Sequence, residues 1–198
     1  MDFVSLAQMC APQVHIQTMQ SLVQVESGFN PYAIGVVGNS LVRQPKNLPE
    51  ALATARELER LGYNYSVGYG QVNKKNFKAY GLTLETAFEP CANLKASASI
   101  LSQCFKSASG KFASEQGALR AAFSCYYSGN FTTGLRPDFK GQPSYVDKVY
   151  GVALGRRVTN VIPLRQEGVA RWNGNREVFS GKKTDDQISS KENSALVF

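Results

Sequence analysis

The stretch from Met19 to Pro31 places an ionisable residue where a helix would otherwise be apolar. In a helix, Met19, Leu22, Val23 and Glu26 fall at positions i, i+3, i+4 and i+7 and share one face. Glu26 is therefore predicted to point inwards. Loss of hydration disfavours the charged form of a buried carboxylate, so its pKa rises towards the range in which it can donate a proton near neutral pH. The pattern predicts a general acid at Glu26.

The helix that carries Glu26 is expected to end almost immediately after it. Gly28 favours a C-terminal cap, and Pro31 cannot continue the hydrogen-bond ladder of a helix. Glu26 would then lie in the last helical turn, at the edge of a cleft. Two structural alternatives stay open from this pattern alone: a surface glutamate on a helix of different phase, and a buried glutamate paired with a Lys or Arg.

Two aromatic segments could supply a binding surface near such a cleft. The segment 62–72 contains three tyrosines and three glycines and no charged residue, and Tyr126 and Tyr127 come just before Gly129 at the end of a predicted helix. Aromatic rings offer flat faces to sugars or bases, and glycines let the backbone approach a ligand closely. A turn whose tyrosines lie in the core is the structural alternative.

Helical periodicity predicts a mainly α-helical domain that positions these segments. Two helical pieces are expected between Phe3 and Gly28, separated at Pro12, with His15 as a surface or capping residue. Residues 31–43 are predicted as a loop or short hairpin. Further helices are expected at 48–61, 73–80, 84–88, 91–107, 113–126 and 144–154.

Length and composition limit the architecture and the class of partner. The 198 residues, 43% of them hydrophobic, suffice for one domain with a sizeable core. The net charge of +7 fits an anionic partner such as nucleic acid, a membrane surface or an acidic cell-wall polymer, without choosing among them. The sequence contains no run of 18 apolar residues, so no transmembrane segment is predicted. The first basic residue is Arg43, so the basic start of a secretory signal is missing, and the chain is either cytosolic or printed without its leader.

The cysteines and the C-terminal residues carry two further expectations. Cys10, Cys91, Cys104 and Cys125 allow two disulfides in an oxidising compartment, with three complete pairings, or they serve as small buried hydrophobes. No CxxC motif occurs and His15 is the only histidine, so no metal site is expected. The character of the chain changes after Gly155, and the stretch Ser180–Ser194 is polar and lacks periodicity, which predicts a flexible basic tail at 156–198 after a domain of residues 1–155.

Five segments, in order, resemble motifs of the soluble lytic transglycosylases, the SLT-domain enzymes that cleave peptidoglycan glycan strands. Glu26–Pro31 matches Glu-Ser-x-Phe-x-Pro, and Gly68–Val72 resembles Gly-Leu-Met-Gln-Ile. Pro90–Leu94 is similar to Pro-x-x-Asn-Ile, Cys125–Gly129 to Ala-Tyr-Asn-x-Gly, and Tyr145–Val146 to a late Tyr-Val. The residues after Glu26, the cysteine placement and the basic tail most resemble the specialised transglycosylases of conjugation and type IV secretion systems.

This resemblance implies a lysozyme-like α+β fold, work in the periplasm on peptidoglycan, and no cofactor. It implies that Glu26 protonates the glycosidic oxygen while the N-acetyl group of N-acetylmuramic acid assists departure. Glu26 then deprotonates the C6 hydroxyl of the sugar, which leaves a 1,6-anhydro end. The substrate-binding residues expected from the resemblance, each of which could instead serve only in packing, are Ser27, Tyr69, Gln71, Tyr126, Tyr127 and Tyr145, with Tyr145 orienting Glu26.

The chain departs from the family pattern in three places. Tyr127 stands where asparagine is usual, Tyr69 and Gly70 replace Leu-Met, and the 36 residues between Pro31 and Gly68 form a long insertion that is a candidate cover for the cleft. The asparagine's polar contacts are therefore not carried over to Tyr127.

A second catalytic carboxylate is not evident in the sequence. Ordinary glycosidases use two carboxylates about 5 to 9.5 Å apart. Glu50, Glu57 and Glu59 lie on the insertion, and Asp138 and Asp147 lie outside the cleft motifs, so none is a compelling partner for Glu26. The alternative functions are a muramidase that hydrolyses the same bond, a non-catalytic peptidoglycan-binding scaffold whose tail docks on secretion-system proteins, and, third, a module that binds nucleic acid weakly and without specificity.

Overall fold

The computed structural model describes residues 1–155 of the chain and shows a mainly helical domain with a small antiparallel sheet. The helices of this part are α1 (Phe3–Cys10), α2 (Ile16–Ser27), α3 (Leu48–Arg60), α4 (Pro90–Ala108), α5 (Glu115–Ser128) and α6 (Tyr145–Ala153). The strands are β1 (Ile34–Val36), β2 (Tyr65–Val67) and β3 (Val72–Asn73), in the order β1-β2-β3. The tail predicted at 156–198 lies outside the described residues.

Short polar side chains and glycines set the ends of these helices. Asp2 accepts a hydrogen bond from the backbone of Ser5 at 3.0 Å and begins α1. His15 caps α2 by accepting from the Gln17 backbone at 3.3 Å, so the capping role predicted for it is confirmed. Gly28 ends α2 in the left-handed conformation, with φ of 59°, which a residue without Cβ adopts readily.

The predicted helices at 73–80 and 84–88 are shorter and tighter in the structure. The first consists of two 3₁₀ turns, Lys74–Asn76 and Lys78–Tyr80, and the second is one 3₁₀ turn at Thr86–Phe88. Short segments of this kind form too few i to i+4 bonds to maintain an α-helix. They connect the sheet to α4.

Residues 31–43, predicted as a loop or short hairpin, are mostly loop, and their one strand pairs with a distant segment. Strand β1 pairs with β2, with Ile34 opposite Val67, and only a bridge from Val36 to Asn39 is local. The Gln44 side chain covers the free edge of β1, because it accepts from the Ile34 N–H at 2.7 Å and donates to the Ile34 carbonyl at 3.0 Å. The insertion therefore adds α3 and the two strands β1 and β2 to the domain.

Helix α2 runs through the core. Met19, Leu22 and Val23 are fully buried, which confirms the predicted phase of the helix. Helix α2 packs against α6, α1 packs against α4, and α4 packs along α5. None of the helices described in residues 1–155 has the length and apolar character that crossing a bilayer requires.

Two disulfides join these helices. Cys10 at the end of α1 bonds to Cys91 at the start of α4, and Cys104 of α4 bonds to Cys125 of α5. The structure therefore shows that the four cysteines form disulfides and are not unlinked buried thiols. It also selects one of the three pairings that the sequence left open.

Candidate active site

Glu26 lies in the last turn of α2, as predicted. The chain then turns sharply, since Gly28 has φ of 59° and Phe29 has φ of 64°. A bulky residue rarely adopts positive φ, and such backbone strain persists only where the surroundings maintain it. Here the Phe29 ring packs edge-on against Phe3 at 4.8 Å between centroids, and Phe3 packs against Tyr69 at 5.9 Å.

The environment of Glu26 favours its protonated form. Burial raises the pKa of Glu26 from 4.5 to about 7, and a hydrogen bond from Tyr145 acts in the opposite direction. None of the ion pairs within residues 1–155 involves Glu26. Both structural alternatives from the sequence are therefore excluded: the side chain is only partly exposed, and its carboxylate is bound by a neutral hydroxyl, not by a Lys or Arg.

Tyr145 begins α6 and points its hydroxyl at Glu26. The hydroxyl donates a hydrogen bond to Oε1 of Glu26. Tyr145 is buried, and burial together with the neighbouring Glu26 holds the pKa of Tyr145 well above 10. Tyr145 therefore remains a donor at every pH at which the protein is expected to work.

Tyr127 stacks on Tyr145. The two rings lie 4.5 Å apart at an interplanar angle of 14°. The hydroxyl of Tyr127 donates to Oδ1 of Asp138 at 2.9 Å. Tyr127, which stands where the resemblance leads one to expect asparagine, thus contributes a flat ring beside the tyrosine that binds the carboxyl group of Glu26.

The segment 68–71 is fixed from two sides. Ser27, next to Glu26, donates from its hydroxyl to the carbonyl of Tyr69 at 2.8 Å. Tyr126 of α5 is buried and donates to the carbonyl of Gly70 at 2.5 Å. These bonds hold the turn against the end of α2.

Asn93, near the start of α4, is the central support of this turn. Its side-chain oxygen accepts from the Gly70 N–H at 2.8 Å, and its amide nitrogen donates to the carbonyls of Val67 at 2.9 Å and Ala87 at 2.8 Å. A Cβ at Gly68 would lie 2.3 Å from that nitrogen, and one at Gly70 would lie 2.0 Å from the Ser97 hydroxyl. Both glycines are required by this close packing.

Gln71 links the turn to the insertion. Its backbone has φ of 49°, and its side-chain nitrogen donates to the carbonyls of Ala33 at 3.1 Å and Gly68 at 3.0 Å. Its side-chain oxygen faces Gly35 of β1, where a Cβ would lie only 2.7 Å away. The start of the insertion therefore borders the site.

The structure brings the residues predicted for the site together around the end of α2. The polar side-chain groups of Ser27, Gln71 and Tyr126 are engaged with the backbone of the site, whereas Tyr145 is bonded to Glu26 itself. Sequence analysis did not assign a site role to Asn93, although the Pro-x-x-Asn motif was a signal for it.

One carboxylate that the sequence placed outside the cleft joins the site. Asp138 reaches Glu26 indirectly, through Tyr127 and Tyr145. The sequence holds no signal for this contact, because Asp138 lies in irregular structure well after α5.

The other four carboxylates considered as partners are used elsewhere. Glu50 pairs with Arg43, Glu57 pairs with Arg60, and Glu59 accepts from the Tyr65 hydroxyl at 2.8 Å. Asp147 pairs with Arg120 at 2.9 Å and bonds Ser144 at the start of α6. Across residues 1–155, no group of three or more His, Cys, Asp or Glu side chains is placed to hold a metal ion.

Comparison with known proteins agrees with this arrangement. Residues 3–135 match the family model described as the transglycosylase SLT domain. The chain is 58% identical over 164 residues to the type IV secretion system protein virB1 of Brucella suis biovar 1 (strain 1330), which covers 82% of this chain and 68% of that protein. It is 58% identical over 152 residues to the protein of that name from Brucella abortus biovar 1 (strain 9-941), covering 76% of this chain and 63% of the relative.

A more distant relative is the protein virB1 of Agrobacterium fabrum (strain C58 / ATCC 33970). It is 38% identical over 139 residues, which covers 68% of this chain and 54% of the relative. The chain thus spans between about half and two thirds of the length of the relatives it matches. No solved structure matches it significantly.

Proposed function

This chain belongs to the transglycosylase SLT domain family, and from that premise we propose that it is a lytic transglycosylase of peptidoglycan. It cleaves the β-1,4 bond between N-acetylmuramic acid and N-acetylglucosamine and leaves a 1,6-anhydro end. The observation that carries this proposal is Glu26, a partly buried carboxyl with a pKa of about 7 whose hydrogen-bond donor is a tyrosine. Such a group can donate a proton and take one back near neutral pH.

The proposed reaction uses the two protonation states of Glu26 in turn. The protonated carboxyl donates its proton to the glycosidic oxygen as the bond to the anomeric carbon breaks. The resulting carboxylate then accepts the proton of the C6 hydroxyl, whose oxygen attacks the anomeric carbon and closes the anhydro ring. Tyr145 stabilises the carboxylate between the two steps by its hydrogen bond.

The substrate supplies the second catalytic group in this proposal. Glu50, Glu57, Glu59 and Asp147 each have a partner elsewhere in the described domain, and Asp138 accepts from Tyr127 and reaches Glu26 only through the two tyrosines. The N-acetyl carbonyl of N-acetylmuramic acid therefore assists departure of the leaving group, in the place that a second carboxylate takes in ordinary glycosidases.

The residues around Glu26 divide into two proposed roles in substrate binding. Tyr69, Gln71 and Tyr127 are each partly exposed and form the wall that contacts the sugars. Ser27, Tyr126 and Tyr145 shape the subsites by fixing the turn and the carboxyl, because their hydroxyls bond to Tyr69, Gly70 and Glu26.

The relatives suggest where the reaction takes place. Those from Brucella are named as type IV secretion system proteins. We propose that this chain opens the cell wall locally for a secretion or conjugation apparatus, and that it works in the periplasm. The two disulfides support an oxidising compartment. Residues 156–198, which lie outside the described part, are the proposed contact with proteins of the apparatus.

The test is mass spectrometry of muropeptides released from purified peptidoglycan. The wild-type chain should release products with 1,6-anhydro ends, and Glu26→Gln should lower the rate by at least about 100-fold, the usual contribution of a general acid. Glu85→Gln is the matched control, since Glu85 forms an exposed ion pair with Arg56. Reducing ends without anhydro sugar would identify a muramidase. Binding of glycan without any cleavage would identify a scaffold.

A further inference from the structure

We infer that Asp138 is a positioning residue for Glu26 and acts through Tyr127 and Tyr145. The contacts form a continuous chain from Asp138 to the Tyr127 hydroxyl, from the Tyr127 ring to the Tyr145 ring, and from the Tyr145 hydroxyl to Glu26. The consequence for catalysis rests on the proposed function, whereas the effect on the protonation of Glu26 does not.

Each link restricts the next one. Asp138 accepts from Tyr127 at 2.9 Å, and hydrogen bonds to a carboxylate are stronger than those between neutral groups. This bond holds the hydroxyl end of the partly exposed Tyr127 ring. The nearly parallel stack at 4.5 Å then restricts the plane of the Tyr145 ring, and hence the direction in which its hydroxyl points.

This arrangement gives Tyr127 a function that an asparagine at the same position cannot perform. An amide side chain is too short and too small to stack along the Tyr145 ring while also reaching Asp138. Burial and the adjacent Asp138 raise the pKa of Tyr127, so its hydroxyl stays protonated and continues to donate. Tyr127 therefore connects Asp138 with Tyr145, which an asparagine at this position would not do.

Within residues 1–155, the titratable groups near Glu26 are tyrosines. Tyr145 approaches from α6, and Tyr126 and Tyr127 approach from α5. Tyr69 belongs to the turn that packs against the end of α2. The pKa of each is raised above 10, so they are neutral near pH 7. The Tyr145 hydrogen bond lowers the pKa of Glu26, and weakening that bond must therefore raise it.

The experiment is an NMR titration of the Glu26 side-chain carboxyl in the full chain. Tyr145→Phe should raise the titration midpoint above that of the wild type. Asp138→Ala and Tyr127→Phe should raise it in the same direction by about half a unit, the effect expected when one hydrogen bond to a carboxylate is weakened. Asp138 and Lys140 are both exposed, so neither Asp138→Ala nor the control Lys140→Ala should alter thermal unfolding. An unchanged unfolding curve then verifies that each variant is folded.

Asp138→Asn separates the hydrogen bond from the charge. It removes the same charge as Asp138→Ala but keeps an oxygen that can accept a weaker hydrogen bond from Tyr127, so the midpoint should return part of the way towards that of the wild type. In the Tyr145→Phe background, Asp138→Ala should produce no further shift, because the link to Glu26 is already absent. The alkaline limb of kcat/KM should move upwards in pH together with the NMR midpoint.

Three results would overturn the inference: an unmoved midpoint in Asp138→Ala, an equal shift in Asp138→Asn, or an undiminished shift in the Tyr145→Phe background. The titration does not depend on cleavage, which separates this inference from the proposed function. A shifted midpoint in a chain that cleaves no glycan would support the inference and reject the function. Cleavage of glycan together with an unmoved midpoint would support the proposed function and reject the inference.

Discussion

At the scale of the residue, the environment of Glu26 disfavours its ionised form but also provides one hydrogen-bond donor to the carboxylate. The helix places it beside fully buried neighbours such as Leu22 and Val23, and burial raises its pKa to about 7. The Tyr145 hydroxyl limits that rise, because it donates to the carboxylate form. The balance keeps both protonation states accessible near neutral pH, as an acid that later acts as a base requires.

This balance has a cost in stability that depends on pH. The pKa of Glu26 is about 7 in the folded chain and 4.5 as its reference value, so between these pH values the folded state holds the proton more tightly than the unfolded state. The protonated carboxyl therefore stabilises the folded state relative to the ionised carboxylate. This contribution to the free energy of unfolding is fully present below about pH 4.5 and is lost as the pH rises through 7.

Glu26→Gln should remove this dependence, because glutamine resembles the protonated form. Relative to the wild type, its free energy of unfolding should increase from pH 4.5 to pH 8 by about 1 to 3 kcal/mol, at about 1.4 kcal/mol per pKa unit less solvent screening. Urea unfolding at the two pH values measures the difference, with Glu85→Gln as the control. A constant difference across this range would contradict the raised pKa.

At the scale of the element, the start of α4 organises the turn on which Tyr69 and Gln71 lie. Asn93 is completely buried and satisfies three backbone groups, one each on Val67, Gly70 and Ala87. A carbonyl or N–H that is buried without a partner loses its bonds to water without replacement. The helix therefore determines the geometry of the turn through one side chain.

Asn93→Ala should destabilise the chain by about 2 to 4 kcal/mol, because it leaves buried backbone groups without partners. Cleavage of glycan should fall as well, since the turn beside Glu26 loses its support. Lys95→Ala, at an exposed position of the same helix, is the control and should change neither property. Urea unfolding and the muropeptide assay measure the two effects, and a loss of stability without a loss of cleavage would show that the turn keeps its position without Asn93.

At the scale of the whole molecule, α4 is covalently attached to two other helices, α1 and α5. One disulfide ties its start to α1 and the other ties its second half to α5, directly before Tyr126. Cross-links of this kind reduce the conformational freedom of the unfolded chain, and the reduction grows with the length of the closed loop. The sequence separations are 81 residues for the first disulfide and 21 for the second.

Removing each disulfide should therefore cost stability in a defined order. Replacing Cys10 and Cys91 by alanine should lower the free energy of unfolding by about 4 kcal/mol, and replacing Cys104 and Cys125 by about 3 kcal/mol. Glycan cleavage should be more sensitive to the second pair, because it lies next to Tyr126. Urea unfolding of the two variants, with the reduced wild type for comparison, measures the order. Unchanged stability in both would show that packing alone fixes α4.

The sequence by itself determined the local features of the protein. The inward phase of Glu26, the helix end at Gly28 and the cap at His15 depend on residues within about two turns of one another, and the structure confirms them. The family motifs likewise located the segments that meet at Glu26. These features were readable because periodicity and capping act over short distances along the chain.

Only the tertiary structure decided the contacts between distant segments. It paired β1 with the distant β2, selected one of three disulfide pairings, and joined Asp138 to Tyr127 and Tyr145. Such contacts depend on how the helices pack, and packing follows from the shapes of many side chains together. The carboxyl chemistry of Glu26 was therefore visible in the sequence, whereas the groups that tune it became visible only in the fold.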